Sequence, residues 1–117
     1  MAWELPSFKL PGFTAEADLS AAQFLGVNGG TAAGQVALAG AGEAIFGVLQ
    51  NKPTAGQAAE VMNKGVTKGI SGAAILVHVQ VEVDAAGKFI TLAAGVPVGF
   101  ALEAAGAADE IITVLLV

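Results

Sequence analysis

Cysteine, arginine and tyrosine are all absent from this chain of 117 residues, which has one histidine and one tryptophan. The lack of cysteine excludes disulfides and thiolate metal sites, and it agrees with folding in a reducing compartment. The five basic residues are all lysines, and they face ten acidic residues, which gives a net charge of −5. A chain without a basic face cannot displace the counterions of nucleic acid, so we expect no nucleic-acid partner.

Charge of either sign is scarce, because 13% of the residues are charged and the usual share is roughly 25%. Hydrophobic residues make up 55% of the chain but aromatic residues only 6%, so the apolar mass is mostly small side chains. This length predicts one domain with one modest core. A surface so poor in charge indicates that neighbouring subunits cover much of it.

Long apolar runs are also missing. The longest uncharged stretch, residues 19–42, is interrupted by glutamine, asparagine, threonine and many glycines. A membrane span needs about 20 predominantly apolar residues, so we expect no membrane partner. The N-terminus does not have the pattern of a secretory signal either, because Glu4, Lys9 and two prolines interrupt any apolar core.

The beginning of the chain repeats one phrase, Leu-Pro-x-Phe, at residues 5–8 and again at residues 10–13. Proline in each copy excludes a helix and keeps the backbone extended. An extended strip cannot bury its own rings, so it must lie on its own domain or on another protein. We predict an extended N-terminal arm over residues 1–17, a β domain over residues 18–117, and the following partner-binding residues in the arm: Trp3, Leu5, Phe8, Leu10 and Phe13. The alternative, that these rings cap one end of the chain's own barrel, stays open.

Beyond the arm, the sequence reads as short strands separated by glycine. The chain has 16 glycines, and such frequent interruption suits strands better than helices. The pattern predicts roughly eight short strands, drawn from nine candidate segments at residues 23–28, 35–39, 44–50, 58–62, 66–70, 77–84, 89–92, 96–102 and 111–117. The fold class that follows is all-β, a compact single-domain barrel or sandwich of short antiparallel strands with an extended N-terminal arm.

Two of these segments carry the clearest signals. In residues 77–84, four valines alternate with four polar residues, which is the period of a half-buried strand. The turn that follows predicts a hairpin with residues 89–92. The last segment, residues 111–117, is apolar on both faces, so we expect it to be central in a sheet or buried at a subunit interface.

Residues that carry chemistry are few. His78 is the single histidine, so it cannot build a histidine-rich metal site, and no serine stands in a nucleophile elbow. We expect His78 to be half exposed at a strand surface or a subunit contact. Glu82 should lie on the polar side of the same strand, which is usually a solvated face.

The acidic residues are scattered as well. Asp84 and Lys88 flank a turn, and we expect them to pair across it as a surface ion pair of small value. Glu103, Asp109 and Glu110 bracket a loop at residues 104–108 without the spacing of a calcium loop, which favours a solvated rim. We therefore predict no catalytic residue, no metal site and no cofactor, and we expect that the protein is not an enzyme.

From Gly42 onward the chain resembles a glycine- and alanine-rich family of small tailed-bacteriophage head proteins, the capsid decoration or cement proteins. The resemblance covers roughly residues 23–117, and the run Gly47-Val48-Leu49-Gln50-Asn51-Lys52-Pro53 is its strongest part. Further phrases that carry it stand at residues 42–46, 56–61, 65–68, 84–88, 98–105 and 111–116. One departure is the unbroken run of residues 75–83, where we expect family members to break with a Gly-Asp turn.

The resemblance implies a compact β domain, often trimeric, that sits on the outer surface of the capsid where major capsid protein subunits meet. It therefore implies a structural virion protein, made in the cytoplasm of the bacterial host, with the major capsid protein and further copies of itself as partners. The alternative from another class is a non-enzymatic ligand- or glycan-binding β module on a virion or cell surface. That alternative needs an exposed patch of polar aromatic residues, and tyrosine is absent while the one tryptophan lies in the arm.

Overall fold

The computed structural model describes residues 8–10 and 12–117. Within these residues, all regular elements are strands and none is a helix. Ten strands follow one another along the chain: β1 (Phe8–Leu10), β2 (Thr14–Ala15), β3 (Gly26–Gly29), β4 (Gln35–Leu38), β5 (Gly47–Leu49), β6 (Val61–Ile70), β7 (Gln80–Val83), β8 (Phe89–Thr91), β9 (Gly99–Ala101) and β10 (Ile111–Leu116). The all-β single-domain prediction is confirmed. The boundary of the arm at residue 17 stays a prediction, although β2 lies before it.

One mixed sheet contains all ten strands. Nine of them follow the order β2-β4-β3-β5-β6-β10-β9-β7-β8, and β1 pairs with β6 beside this path. The pairings between these strands are antiparallel except for β2 with β4, which is parallel. The predicted hairpin of residues 77–84 with residues 89–92 forms, since β7 pairs with β8, and β3 pairs with β4 in a second hairpin.

The strand β6 holds the two halves of the sheet together. Its first residues, Val61 and Met62, pair with β5, and its residues 65–70 pair with β10. The sequence predicted two separate strands at residues 58–62 and 66–70, and this was wrong. The glycine between them, Gly65, has a φ of 110°, a value that glycine adopts without strain, so the strand continues through it.

Two apolar clusters form the core, and both contain residues of β5 and β6. The larger contains Phe89, Val81 and Val114, and the smaller contains Leu49, Val27 and Val61. Phe89 and Leu49 are the largest side chains that are fully buried. The predicted central position of the last segment is confirmed, because β10 lies between β6 and β9, and its Ile112, Val114 and Leu116 face the larger cluster.

The alternating segment at residues 77–84 becomes a shorter strand than predicted. Pairing begins at Gln80, while Val77 and His78 form a turn in which His78 has a φ of 67°. The backbone N–H of His78 donates to the carbonyl of Ala101 at 2.7 Å, which holds this turn against the end of β9. His78 is therefore exposed in a turn and not half exposed on a strand.

Candidate interaction surface

The backbone of residues 8–10 lies on the chain's own domain. Strand β1 pairs antiparallel with the start of β6, with Phe8 opposite Lys64 and Leu10 opposite Val61. The exposed ammonium group of Lys9 lies 3.4 Å from the Glu60 carboxylate, a surface ion pair of small value. This part of the arm is therefore anchored in the sheet. Trp3 and Leu5, which the sequence also predicted as partner-binding residues, lie outside the described residues.

Phe13 joins the domain through a second aromatic ring that the sequence did not single out. Its ring is half-buried at the smaller apolar cluster, and its centroid lies 5.7 Å from that of Phe46 at an interplanar angle of 53°. Such a tilted pair is favourable. The Phe46 ring lies over Gly29, where an added Cβ would meet the ring at 3.1 Å. A glycine in a strand opposite an aromatic residue is the signal that sequence reasoning missed.

A cleft of about 190 Å³ opens beside Phe46. We call it the terminal cleft, because β10 ends at it. Its walls come from residues 44–47, 63–64, 96–98 and 116–117, and polar atoms contribute about as much of the exposed lining as apolar atoms do. Three large apolar side chains in these walls are exposed: Phe46 by 38%, Val96 by 44% and Val117 by 67%. The cleft thus leaves an apolar surface open to solvent on a chain that has few charges.

The strands β1 and β10 lie end to end along the same edge of β6. The backbone N–H of Ser71 donates to the carbonyl of Glu110, and that of Ala59 donates to the carbonyl of Phe13, both at 2.9 Å. The carbonyl of Glu60 instead accepts from the backbone N–H of Gln50, the residue after β5. The odd-numbered residues just before and just after β6 therefore direct their backbone groups to the side of the arm and of β10. Leu116 lies opposite Gly65 and Phe8 lies opposite Lys64, so β10 ends where β1 begins, at the wall of the terminal cleft.

A second exposed apolar pair lies in the turn before β7. Leu76 is 74% exposed and Val77 is 47% exposed. Ile75, next to them, is buried and forms a β-bridge with Ala105, which fixes the turn to the loop before β10.

The carboxylates are used as hydrogen-bond acceptors within the chain. Glu103 accepts from the backbone N–H of Thr113 at 3.0 Å, and Glu110 accepts from that of Gly106 at 3.1 Å. Within residues 8–10 and 12–117, no three histidine, aspartate or glutamate side chains come together as metal ligands would.

The predicted ion pair across the β7–β8 turn was wrong. Asp84 accepts hydrogen bonds from the backbone N–H groups of Ala86 and Lys88, while the Lys88 ammonium group pairs with Asp109. The hydrogen bond to Asp109, and secondly its negative charge, raise the pKa of Lys88. The tight turn thus satisfies Asp84 through the backbone and leaves the lysine to reach the neighbouring loop.

The polar side of β7 also differs from its predicted solvated position. Glu82 is buried, and one of its carboxylate oxygens accepts from the backbone N–H groups of Ala93 at 3.1 Å and Gly95 at 2.6 Å. The loop after β8 therefore folds over β7 and covers the carboxylate.

In the described part of the chain, no helix has the length and apolar character that crossing a membrane requires. The fold and the surface together define a small, all-β domain whose carboxylates accept hydrogen bonds from the backbone of its own loops.

The family follows from a match over nearly the whole domain. A family model described as phage cement protein matches residues 12–116, so this chain belongs to the phage cement protein family. It is accordingly a structural protein of the phage capsid. No curated protein is significantly similar to the chain.

Among solved structures, the N base of the head fiber protein gp8.5 of bacteriophage phi29 is similar to this chain, with a TM-score of 0.71 at 17% identity. The match covers 97% of this chain and 95% of that one. At this identity the likeness shows a shared fold.

Proposed function

We propose that this protein is a decoration protein that binds the outer surface of a phage capsid and stabilises contacts between major capsid protein subunits. It acts as a homotrimer without enzymatic activity, and it is made in the cytoplasm of the bacterial host. The observation that carries this proposal is the family match over residues 12–116. The low share of charged residues, 13%, supports it, because a surface with few charges is suited to close neighbours.

The arm is the proposed anchor on the capsid or on a neighbouring subunit, through these residues: Trp3, Leu5, Phe8, Leu10 and Phe13. An anchored aromatic side chain buries about 150–250 Å², which corresponds to roughly 4–6 kcal/mol before ordering costs at about 25 cal/mol per Å². The pairing of β1 with β6 supports an anchoring role, since it fixes the position of the strand that follows residues 1–7.

The test is the binding of purified protein to phage heads that lack it. Deletion of residues 2–7 removes Trp3 and Leu5 and retains all ten described strands. We expect a loss of head occupancy of at least tenfold, measured by co-sedimentation. The matched control is Leu76→Ala, which removes an exposed apolar side chain elsewhere and should bind as the wild type does.

Two further readouts separate the parts of the proposal. Heads that carry the protein should withstand heating better than bare heads, measured by the release of packaged DNA. Undiminished occupancy after the deletion would contradict the role of the arm, and no binding by the wild type would contradict the decoration function itself.

A further inference from the structure

The terminal cleft combines exposed apolar side chains with polar groups, which suits an extended segment that carries both. Phe46, Val96 and Val117 are its exposed apolar side chains. Lys64 also lines the cleft and is exposed, so the cleft offers one cation beside an apolar wall.

The residues that precede β1 match this chemistry. Residues 2–7 read Ala-Trp-Glu-Leu-Pro-Ser, with Glu4 as their one charged side chain between two large apolar ones. An acidic residue flanked by Trp3 and Leu5 is complementary to a lysine beside apolar walls.

We propose that residues 1–7 of one copy dock in the terminal cleft of a second copy of this chain, with Trp3 against Val96 and Val117 and with Glu4 near Lys64. This inference rests on the proposed anchoring role of the arm, and it names the neighbouring copy as the partner.

The position of β1 favours a neighbour's arm over the chain's own. Phe8 lies opposite Lys64, so the chain's own arm begins at the cleft wall. Five residues in an extended conformation span up to about 17 Å, which would place Trp3 beyond a cleft at the root of its own arm. A proline such as Pro6 disfavours a helical conformation at the residue before it, and residues 3–7 contain no glycine.

This contact is head-to-tail, since each copy gives an arm and receives another. Head-to-tail contacts close into rings when the rotation between copies allows it. The proposed homotrimer is such a ring, and the cleft would supply the surface that joins its subunits.

The fluorescence of Trp3 tests this directly, because the chain has one tryptophan and no tyrosine. In the wild type we expect blue-shifted emission and several-fold weaker quenching by iodide than in the unfolded protein. The cleft variant Val96→Asp should show red-shifted, readily quenched emission, and it should sediment as a smaller species. The matched control Leu76→Asp changes an exposed side chain outside the cleft and should leave both properties unchanged.

A mixing experiment decides whose cleft is filled. The variant Trp3→Ala has an intact cleft and no tryptophan, and Val96→Asp has an intact arm and a spoiled cleft. When the two are unfolded, mixed and refolded together, the tryptophan emission should shift to the blue, because the arms of the second variant enter the clefts of the first. Unchanged emission on mixing, or wild-type emission already quenched as in the unfolded protein, would overturn the inference.

Failure here is distinguishable from failure of the proposed function. If deletion of residues 2–7 abolishes binding to heads while Trp3 of the free protein stays accessible to iodide, the arm binds the capsid and the cleft is not its receptor. The proposed function then stands without this inference.

Discussion

Glu82 is the one charged residue that is buried in the described part of the chain. Its carboxylate holds Ala93 and Gly95 through their backbone N–H groups, and an added Cβ at Gly95 would approach Glu82 at 2.6 Å. The glycine thus allows the loop to come close enough for the hydrogen bonds. A buried carboxylate with two such donors is a structural residue, since its own oxygen would otherwise be buried without a partner.

Replacement of Glu82 by alanine should lower the free energy of unfolding by about 2 kcal/mol, because two partly buried hydrogen bonds to a carboxylate are lost. Glu82→Gln keeps an acceptor oxygen and should cost about 1 kcal/mol. The matched control is Glu43→Ala, which removes an exposed carboxylate that accepts from the N–H of Gly40 at 2.7 Å. Urea unfolding of the three variants checks this, and equal losses at the two sites would contradict it.

At the scale of the elements, glycine sets how closely the strands approach. A Cβ at Gly47 would collide with the carbonyl oxygen of Met62 on β6, and one at Gly99 would collide with that of Leu115 on β10. The two glycines lie in β5 and β9, so the close approach is between β5 and β6 and between β9 and β10. Each glycine is required for its strand to lie this close to the backbone of the neighbouring strand.

The substitution Gly47→Ala should therefore destabilise the protein by about 3 kcal/mol, at the upper end for an overpacked site, because backbone must move. Gly106→Ala is the control, since a Cβ there meets only Glu110 at 3.4 Å, and we expect a change below about 0.5 kcal/mol. The midpoints of thermal unfolding report both. A Gly47→Ala protein as stable as the control would show that the two strands can separate without cost.

The sequence predicted those elements whose signals are local. The hairpin of β7 and β8 follows from valine alternation and the Asp-Ala-Ala-Gly turn, and β10 from its apolar residues. The long-range pairings carry no such signal, because the partners of residues 65–70 lie at residues 111–116. The turn at His78 was missed because its positive φ is held by a backbone hydrogen bond to Ala101, which is distant in the chain.

The candidate site was likewise predictable only where its signal is local in the sequence. The aromatic repeat of the arm is visible in the sequence, and Phe13 does reach an aromatic partner. The terminal cleft is built from four segments that are distant in the chain. Its apolar wall therefore becomes visible only when β5, β6 and β10 have been placed beside one another.

For the whole molecule, hydrogen bonds to two carboxylates and the ion pair of Lys88 with Asp109 tie stability to pH. Hydrogen bonds from Thr31, first its side chain and then its backbone, lower the pKa of Glu16, and those from Ser20 lower the pKa of Asp18. Asp109 raises the pKa of Lys88. A lowered carboxyl pKa stabilises the fold above the ordinary value and loses this effect as pH falls. A raised lysine pKa stabilises the fold below its ordinary value and loses this effect as pH rises.

Stability should accordingly be highest on a plateau that lies above the ordinary Glu pKa of 4.5 and below the ordinary Lys pKa of 10.5. The urea midpoint of the wild type should fall on both sides of this plateau. The double variant Glu16→Gln, Asp18→Asn should lose less stability on acidification, and Lys88→Met should lose less in alkali, because neither then has the shifted group to titrate. If the double variant loses stability in acid as steeply as the wild type, other carboxylates determine the loss of stability at low pH. The hydrogen bond between Glu16 and Thr31 would then make no measurable contribution to it.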